Sequence, residues 1–251
     1  LFLWQLINKV IVVTGGAKGL GYAMADSFLD FGAKTAILLD TDEEAGAQAV
    51  DNLGKKYGND KVTFMRCEVV KDLEKVSCEI LQNYEVDVLL NNAGIIDETS
   101  ARRTLEVNTL ATVEWGMKFW EYMRRDKGGR GGTIFNMASI YGFLRDPWLV
   151  YYKTSKHGVI GFTKTLGHDY NYKKTGVRVI AICPGFTYTA MTEDIGTFDY
   201  QRDDFRKFVS SVKFQKMETV GCAAVDIFVT AETGSAWVTK EEKPIELAPV
   251  N

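Results

Sequence analysis

The sequence predicts an α/β protein with a doubly wound parallel sheet of about seven strands and helices on both faces. Strand-like and helix-like segments alternate along the chain, a pattern typical of parallel strands joined by crossover helices. The runs VIVV at 10–13 and AILL at 36–39 are continuously apolar, as expected for strands buried on both faces. With 251 residues and neither a linker nor a repeat, one domain over residues 1–251 is the simplest division.

Apolar runs predict the strands, turn residues mark their ends, and helical stretches lie between them. Thr41 is a plausible N-cap for the second helix, and the GGRGG loop at 128–132 separates the long fourth helix from the fifth strand. Predicted strands lie at 10–13, 36–39, 62–67, 86–90, 133–137, 177–183 and 234–239. Predicted helices lie at 18–31, 41–57, 70–84, 99–125 and 150–172.

Composition excludes several classes of function. Thirty Lys plus Arg against 33 Asp plus Glu give a formal charge of −3 without a basic block, so nothing favours a nucleic-acid partner. The apolar run at 1–7 is too short to span a membrane and lacks the charged start of a signal peptide. Four cysteines without a CxxC pair favour reduced thiols in a cytoplasmic protein. The two histidines have no partner at metal-ligand spacing, so no metal site is expected.

A glycine-rich turn, TGGAKGLG at 14–21, follows the first strand and opens the first helix. Glycines let the backbone approach a pyrophosphate, and the helix N-terminus offers free N–H groups to that anion. An acidic residue, Asp40, ends the second strand and can accept hydrogen bonds from an adenosine ribose. Together these features favour a Rossmann-type dinucleotide-binding domain over a merely structural turn.

Two charged residues bear on the choice of cofactor. The carboxylate of Asp40 would repel the 2′-phosphate of NADP and bind the free hydroxyl of NAD. Lys18 points the other way, because a cation in this turn could meet a 2′-phosphate. It could equally be a solvated surface charge. We therefore expect NAD, with an NADP-preferring carbonyl reductase as the alternative.

The reacting groups are predicted from spacing on one helix. Tyr152 and Lys156 are four residues apart, which puts both side chains on one face. A nearby ammonium and a cationic nicotinamide would lower the phenol pKa from about 10, so that Tyr152 could exchange a proton with an alcohol or ketone. Ser139 ends the preceding strand, and its hydroxyl could hold the substrate oxygen beside the phenol.

The sequence is identified as resembling the short-chain dehydrogenase/reductase family. The motifs TGGAKGLG, Asp40, Asn91-Asn92-Ala93-Gly94, Ser139, Tyr152-x-x-x-Lys156 and Pro184-Gly185 occur in the order and spacing of that family. The resemblance runs from about residue 9 to about residue 239. KHGVIGFTK and GVRVIAICPGF look most like the hydroxyprostaglandin dehydrogenases. The stretch from NNAGIIDET through FWEYMRRDKGGRGG resembles those and the insect alcohol dehydrogenases.

The resemblance implies roles for individual residues. Ser139 would orient the substrate oxygen, Tyr152 would be the acid/base, and Lys156 would bind the nicotinamide ribose and lower the Tyr152 pKa. Asn108 would help to hold a water in a proton relay. Glu68 stands where relatives carry Asp. The implied cofactor contacts are Gly15, Gly19 and Leu20 at the pyrophosphate and adenosine, Glu68 and Val69 at the adenine, Asn92, Ala93 and Gly94 at the ribose, and Pro184, Gly185, Thr187 and Thr189 at the nicotinamide.

The substrate pocket is the least defined part of the sequence. Little positive charge surrounds it, which favours a hydrophobic secondary alcohol or ketone that is aliphatic, terpenoid or fatty-acid-derived. The segment at about 186–216 shows no strong periodicity, and we hypothesise that it is a mobile lid. The resemblance also implies a homodimer or homotetramer. A non-catalytic dinucleotide-binding or redox-sensing protein is the alternative of a different class. Candidate pocket walls are Tyr141, Phe143, Leu144, Trp148, Phe186, Met191 and Phe198.

Overall fold

A computed structural model describes residues 6–193 and 195–249 and shows one eight-stranded sheet in the order β3-β2-β1-β4-β5-β6-β7-β8. The first seven strands run parallel, and the two-residue β8 pairs antiparallel with β7. The predicted doubly wound α/β fold is therefore confirmed, with one short edge strand beyond the seven expected. The strands are β1 Val10–Thr14, β2 Thr35–Asp40, β3 Val62–Arg66, β4 Val88–Asn91, β5 Gly132–Met137, β6 Val177–Pro184, β7 Ala236–Thr239 and β8 Glu246–Leu247.

Helices cover both faces of this sheet. Along β1, Ile11 and Val13 pack into the core on one face while Val10 and Val12 pack into the core on the other. This alternation explains why the strand is apolar throughout. The helices are α1 Gly19–Asp30, α2 Glu43–Tyr57, α3 Leu73–Asn83, α4 Ala101–Leu105, α5 Ala111–Met123, α6 Val150–Leu166, α7 Asp169–Thr175, α8 Ala190–Glu193, α9 Arg202–Ser211 and α10 Met217–Thr230.

The strand order reverses direction beside β1, which lies between β2 and β4. The crossovers on either side of β1 therefore run in opposite directions and leave a crevice at the carboxyl ends of the strands. Such a switch point is where ligands bind in open α/β sheets. The first five residues of the apolar run at 1–7, on which the membrane expectation rests, lie outside the described residues. Within the described ranges no helix is both long and apolar enough to cross a membrane.

Three sequence expectations about helices were wrong in detail. The N-cap of α2 is Asp42, not Thr41, because the Asp42 side chain accepts a hydrogen bond from the Ala45 amide at 3.1 Å. The helix expected at 99–125 contains a π-helical turn, Glu106–Leu110, between α4 and α5. The helix expected at 150–172 ends at Gly167, where an added Cβ would lie 2.5 Å from the Gly234 nitrogen.

The segment at 186–216 is also more regular than its sequence suggests. It contains α8, a short 3₁₀ turn at Asp199–Gln201, and α9. Its two ends lie side by side, because the Gln215 amide donates to the Phe186 carbonyl at 2.9 Å and the Tyr188 amide donates to the Gln215 carbonyl at 3.0 Å. We call residues 186–216 the covering segment.

Candidate active site

The glycine-rich turn at 14–21, here called the phosphate turn, has the geometry expected of a pyrophosphate cradle. Gly15 adopts φ +63°, and a Cβ on it would lie 3.0 Å from the Ala93 Cα. A Cβ on Gly21 would lie 2.1 Å from the Gly15 carbonyl oxygen, so only glycine allows α1 to approach the turn. Helix α1 begins at Gly19 beside Leu20, and its N-cap, Lys18, makes no side-chain capping bond. The first N–H groups of α1 can therefore serve a bound anion.

The turn is fixed to the end of β4 by a compact set of hydrogen bonds. The Thr14 hydroxyl accepts from the amides of Asn92 at 2.9 Å and Ala93 at 3.1 Å. The Asn92 side-chain amide donates to the Thr14 and Gly15 carbonyl oxygens at 3.0 and 2.9 Å. Gly94 follows, and a Cβ there would lie 3.6 Å from the Lys156 ammonium. The structure thus brings the predicted turn and the predicted Asn92-Ala93-Gly94 segment together.

The carboxylate of Asp40 stands beside this turn at the end of β2. It accepts from the amides of Ala17 and Asp42, each at 3.2 Å. Lys18 turns away from it, since its ammonium lies 2.7 Å from the Asp42 carboxylate. This bond raises the pKa of Lys18 and lowers the pKa of Asp42. The sequence left open whether Lys18 would meet a 2′-phosphate or be a solvated surface charge. In the structure it is paired with the Asp42 carboxylate.

Glu68 and Val69 lie just beyond β3, as expected from the sequence. The Glu68 amide donates to the Asp72 carboxylate at 2.8 Å, and the Glu68 carboxylate pairs with Lys71 at 2.9 Å. The Val69 carbonyl accepts from the buried Trp115 indole at 2.9 Å. The backbone of this corner is therefore held, while the Glu68 side chain in this structure points to a neighbouring lysine.

Tyr152, Ser139 and Lys156 converge at the carboxyl ends of β5 and β6. Ser139 is buried, and its hydroxyl accepts from the Tyr141 amide at 3.1 Å. Burial raises the pKa of Tyr152 to about 12, and a hydrogen bond with Ser139 opposes that rise. The Lys156 ammonium lies 5.5 Å from the Tyr152 ring centre.

Lys156 is held deep in the protein. It is 3% exposed, and its ammonium donates to the Met137 carbonyl at 2.8 Å. Burial lowers the pKa of Lys156 to about 8. The spacing argument therefore placed both side chains correctly. In the chain alone the net shift of the Tyr152 pKa is upward, because desolvation of the phenol dominates.

Asn108 is fully buried in the π-helical turn. Its side-chain oxygen accepts from the Ile95 amide at 2.8 Å, and its side-chain nitrogen donates to the Ile95 carbonyl at 2.9 Å and to the Ser155 hydroxyl at 3.0 Å. Ser155 lies between Tyr152 and Lys156 on α6. Asn108 thus joins the loop after β4 to the helix that carries the reacting groups.

Sequence reasoning missed Glu98, a buried carboxylate at the start of α6. Its two oxygens accept from the amides of Tyr151 at 3.0 Å and Tyr152 at 2.9 Å. Helix α6 needs this help, because its own N-cap, Leu149, adopts φ +55° and makes no side-chain cap bond. A carboxylate is favourable at a helix N-terminus. Glu98 and Tyr151 are 53 positions apart in the sequence, so no local pattern could indicate that they are in contact.

The segment expected at the nicotinamide follows β6. The Gly185 amide donates to the Thr239 carbonyl at 2.8 Å next to Pro184, the last residue of β6. The Thr187 hydroxyl is buried and bonds within the protein, donating to the Gly185 carbonyl at 3.0 Å and accepting from Gln215 at 3.1 Å. The Thr189 amide donates to the Thr192 hydroxyl at 3.1 Å. The Thr187 carbonyl in turn accepts from the Thr192 hydroxyl at 2.7 Å.

A small cavity of about 50 Å³ lies against Ser139 and Tyr152. Tyr141 and Phe186 line it, as expected, whereas Phe143 packs in the core with Ile160 and was wrongly placed at the wall. Leu144 and Met191 are exposed at 40% and 42%. Trp148 packs one layer further out, against Phe205 and Phe208 at 5.6 and 6.1 Å between ring centres, and Phe198 contacts Tyr151 at 5.7 Å. The sequence did not single out Ile96, Ile140, Leu149, Thr192 and Ile195, which also line the cavity.

Fold and site together define a dinucleotide-dependent oxidoreductase, with a glycine-rich turn, the Asp40 carboxylate and a Ser-Tyr-Lys set at the carboxyl ends of the strands. A family profile described as short chain dehydrogenase matches residues 9–199. The chain belongs to the short-chain dehydrogenase family.

Three relatives illustrate the similarity. The 15-hydroxyprostaglandin dehydrogenase [NAD(+)] of Homo sapiens is 37% identical over 191 residues, covering 75% of this chain and 71% of that protein. Alcohol dehydrogenase 1 of Ceratitis capitata is 27% identical over 252 residues, covering 98% and 96%. A crystal structure described as a short-chain alcohol dehydrogenase from Sinorhizobium meliloti 1021 superposes with TM-score 0.76 at 23% identity, covering 93% and 94% of the two chains.

Proposed function

We propose that this chain transfers a hydride between NAD and a hydrophobic secondary alcohol or ketone, with Tyr152 as the general acid/base. The observation that carries the proposal is the meeting of Ser139 and Tyr152 at one mostly apolar cavity. The similarity to an NAD-dependent hydroxyprostaglandin dehydrogenase and to insect alcohol dehydrogenases supports the same reaction class.

The residues of the crevice fit NAD. The cradle at Gly15 and Gly21, which a Cβ would fill, and the uncapped start of α1 suit a pyrophosphate. Asp40 would accept the ribose hydroxyls. The one cation that could favour NADP, Lys18, is paired with Asp42, so the support for an NADP-preferring reductase falls away. Bound NAD supplies the hydride acceptor at its nicotinamide ring.

The protein residues would manage the proton. Ser139 would donate to the substrate oxygen and hold it beside the Tyr152 phenol. Tyr152 would take the hydroxyl proton as the carbinol carbon loses its hydride, and would return it in ketone reduction. Lys156 would bind the nicotinamide ribose with the ammonium protons that Met137 leaves free. Asn108 would help to hold a water in a relay of that proton to solvent.

The walls of the cavity favour an uncharged, apolar substrate. Its lining among the described residues contains no charged side chain, and Ile96, Ile140, Leu149, Phe186 and Ile195 supply most of its apolar surface. A phosphate or carboxylate placed there would lose its hydration without a counter-charge. Aliphatic, terpenoid or fatty-acid-derived alcohols satisfy this constraint.

The covering segment would act as a lid. A cavity of about 50 Å³ is far smaller than the roughly 300 Å³ or more of common ligand pockets, so a bulky substrate would need the segment to move. Hydrogen exchange with and without NADH tests this. We expect the amides of α9 to be better protected with NADH. Equal protection in both states would contradict the lid.

We also propose a homodimer or homotetramer formed through α4, α5 and α6. Leu105, Leu110 and Val150 on these helices and the adjoining turn are exposed at 37%, 47% and 44%. Sedimentation should show a dimer or tetramer that Leu110→Glu weakens. A monomeric wild-type chain would contradict this.

The direct test is NADH formation, followed by absorbance, with NAD and a panel of hydrophobic secondary alcohols, repeated with NADP. We expect turnover with NAD well above that with NADP. Tyr151→Phe is the matched control for Tyr152→Phe, because it removes the neighbouring phenol. Binding of NADH without turnover of any alcohol or ketone would instead support the non-catalytic, redox-sensing alternative.

A further inference from the structure

A second cavity, here called the amino-edge cavity, lies at the amino ends of the strands, opposite the candidate active site at their carboxyl ends. Its volume is about 470 Å³. Val88, Thr133 and Arg178 line it and are aligned neighbours at the amino ends of β4, β5 and β6. Phe228 of α10 and the loop before β5 complete its walls. The catalytic residues lie at the carboxyl ends of these strands, so the two cavities are separated by the full length of the sheet.

Four cationic side chains line this amino-edge cavity, and two of them lack a carboxylate partner. Lys9 pairs with Asp87 at 3.0 Å, and Arg130 pairs with Glu85 at 2.8 Å. Arg125 and Arg178 make no ion pair with any described residue. The lining therefore carries about two uncompensated positive charges.

Arg178 is held in place by uncharged groups. Its guanidinium donates to the Ala231 carbonyl at 3.2 Å and to the Thr133 hydroxyl at 3.3 Å. It also lies 4.8 Å from the Phe228 ring centre. Burial lowers the pKa of this guanidinium, and none of the hydrogen-bond partners named above carries a negative charge. An anion in the cavity would supply that charge.

Arg125 is positioned by the glycines around it. A Cβ on Gly176 would lie 2.6 Å from the Arg125 Nε, and a Cβ on Gly131 would lie 2.9 Å from the same atom. The Arg125 Nε donates to the Arg130 carbonyl at 3.2 Å. The terminal nitrogens of Arg125 remain available at the cavity. The neighbouring Arg124 differs, because it pairs with Glu121 and Asp126.

We propose that the amino-edge cavity is a binding site for a doubly charged phosphate group, either free phosphate or a small phosphomonoester. Arg125 and Arg178 hold its oxygens, because guanidinium groups match the geometry of phosphate oxygens. Thr133 and Phe228 form the floor beneath it. This site is independent of the proposed hydride transfer and needs neither Asp40 nor Tyr152.

The test is calorimetric titration of the chain saturated with NADH, so that the cofactor crevice is filled. The probes are inorganic phosphate and glycerol 2-phosphate at about pH 8, where the dianion predominates, against chloride at equal ionic strength. We expect both probes to bind the wild type. Arg125→Gln and Arg178→Gln should each weaken binding at least about tenfold, which corresponds to about 1.4 kcal/mol. Arg102→Gln, on exposed α4, should change nothing.

Binding of both probes would assign the site to a phosphomonoester, and binding of inorganic phosphate alone would assign it to free phosphate. Absence of binding beyond chloride, or unchanged affinity in Arg125→Gln, would overturn the proposal. Arg125 is exposed, so its variant decides the matter even if Arg178→Gln fails to fold. If Arg102→Gln weakened phosphate binding as much as the two cavity variants did, the binding would reflect general surface charge. That result would also overturn the proposal.

Discussion

The cofactor side of the crevice and the covering segment are built by different forces. On the cofactor side, Thr14, Asn92 and Asp40 make directed hydrogen bonds to backbone groups at the strand ends. In the covering segment, Phe208 contacts the rings of Phe186 and Trp148 at 6.0 and 6.1 Å between ring centres. Directed bonds fix one geometry, whereas apolar contacts tolerate repacking. We therefore expect the cofactor side to be rigid and the covering segment to be more adaptable.

Tyr152 stands where the two regions meet, so its loss should have the largest effect. Tyr152→Phe removes the phenol oxygen that we propose exchanges the substrate proton. We expect alcohol turnover to fall by about 10³-fold or more, within the range for general acid/base groups, while NADH affinity stays unchanged by fluorescence titration. Tyr151→Phe should keep most activity. Substantial turnover by Tyr152→Phe would defeat the acid/base assignment.

The cofactor side should respond sharply to a single charge. Asp40→Asn removes the carboxylate that we propose faces the ribose, so its repulsion of a 2′-phosphate should disappear. We expect the ratio of kcat/KM for NAD over NADP to fall by about tenfold to a hundredfold, or about 1.4 to 2.8 kcal/mol. Asp51→Asn on exposed α2 is the control. An unchanged ratio would show that Asp40 does not face the ribose.

Glu98 tests whether the start of α6 positions the phenol. Glu98→Ala leaves the partly buried amides of Tyr151 and Tyr152 without this acceptor, at a cost of up to about 1–3 kcal/mol each. We expect kcat to fall and the KM for NAD to hold, with Glu98→Gln retaining more activity because its oxygen still accepts one bond. If both variants kept the wild-type kcat, or lost only thermal stability, Glu98 would be a structural cap and not a positioning residue.

The covering segment should show the smallest and most substrate-dependent change. Phe208→Ala opens space beside Phe186 and Trp148, so bulky secondary alcohols should gain several-fold in kcat/KM over small ones, while the KM for NAD stays constant. Steady-state kinetics with a size series measures this. Tyr200→Ala, an 82% exposed ring in the same segment, serves as control. A uniform loss for all alcohols would mean that the segment is as rigid as the cofactor side.

The same contrast explains what the sequence could predict. Gly15, Asp40, Tyr152 and Lys156 follow from local rules, because a turn, a strand end and a four-residue helical spacing are each written in consecutive residues. Glu98 and the π-helical turn at Glu106–Leu110 do not, because each depends on contacts with distant chain. Phe143 and Phe186 are the same residue type, and nothing near them in the sequence distinguishes them. Only the folded structure shows that Phe186 lines the cavity and that Phe143 packs against the core.

The central claim, that the Tyr152 phenolate accepts the substrate proton, is tested most directly by the pH dependence of alcohol oxidation at saturating NAD. Burial raises the Tyr152 pKa to about 12 in the chain alone, and the cationic nicotinamide should lower it below about 10. Because the base must be deprotonated, kcat/KM should rise about tenfold per pH unit and then level off at that pKa. Tyr151→Phe should keep this rise. A flat profile, or the same rise in Tyr152→Phe, would contradict the account.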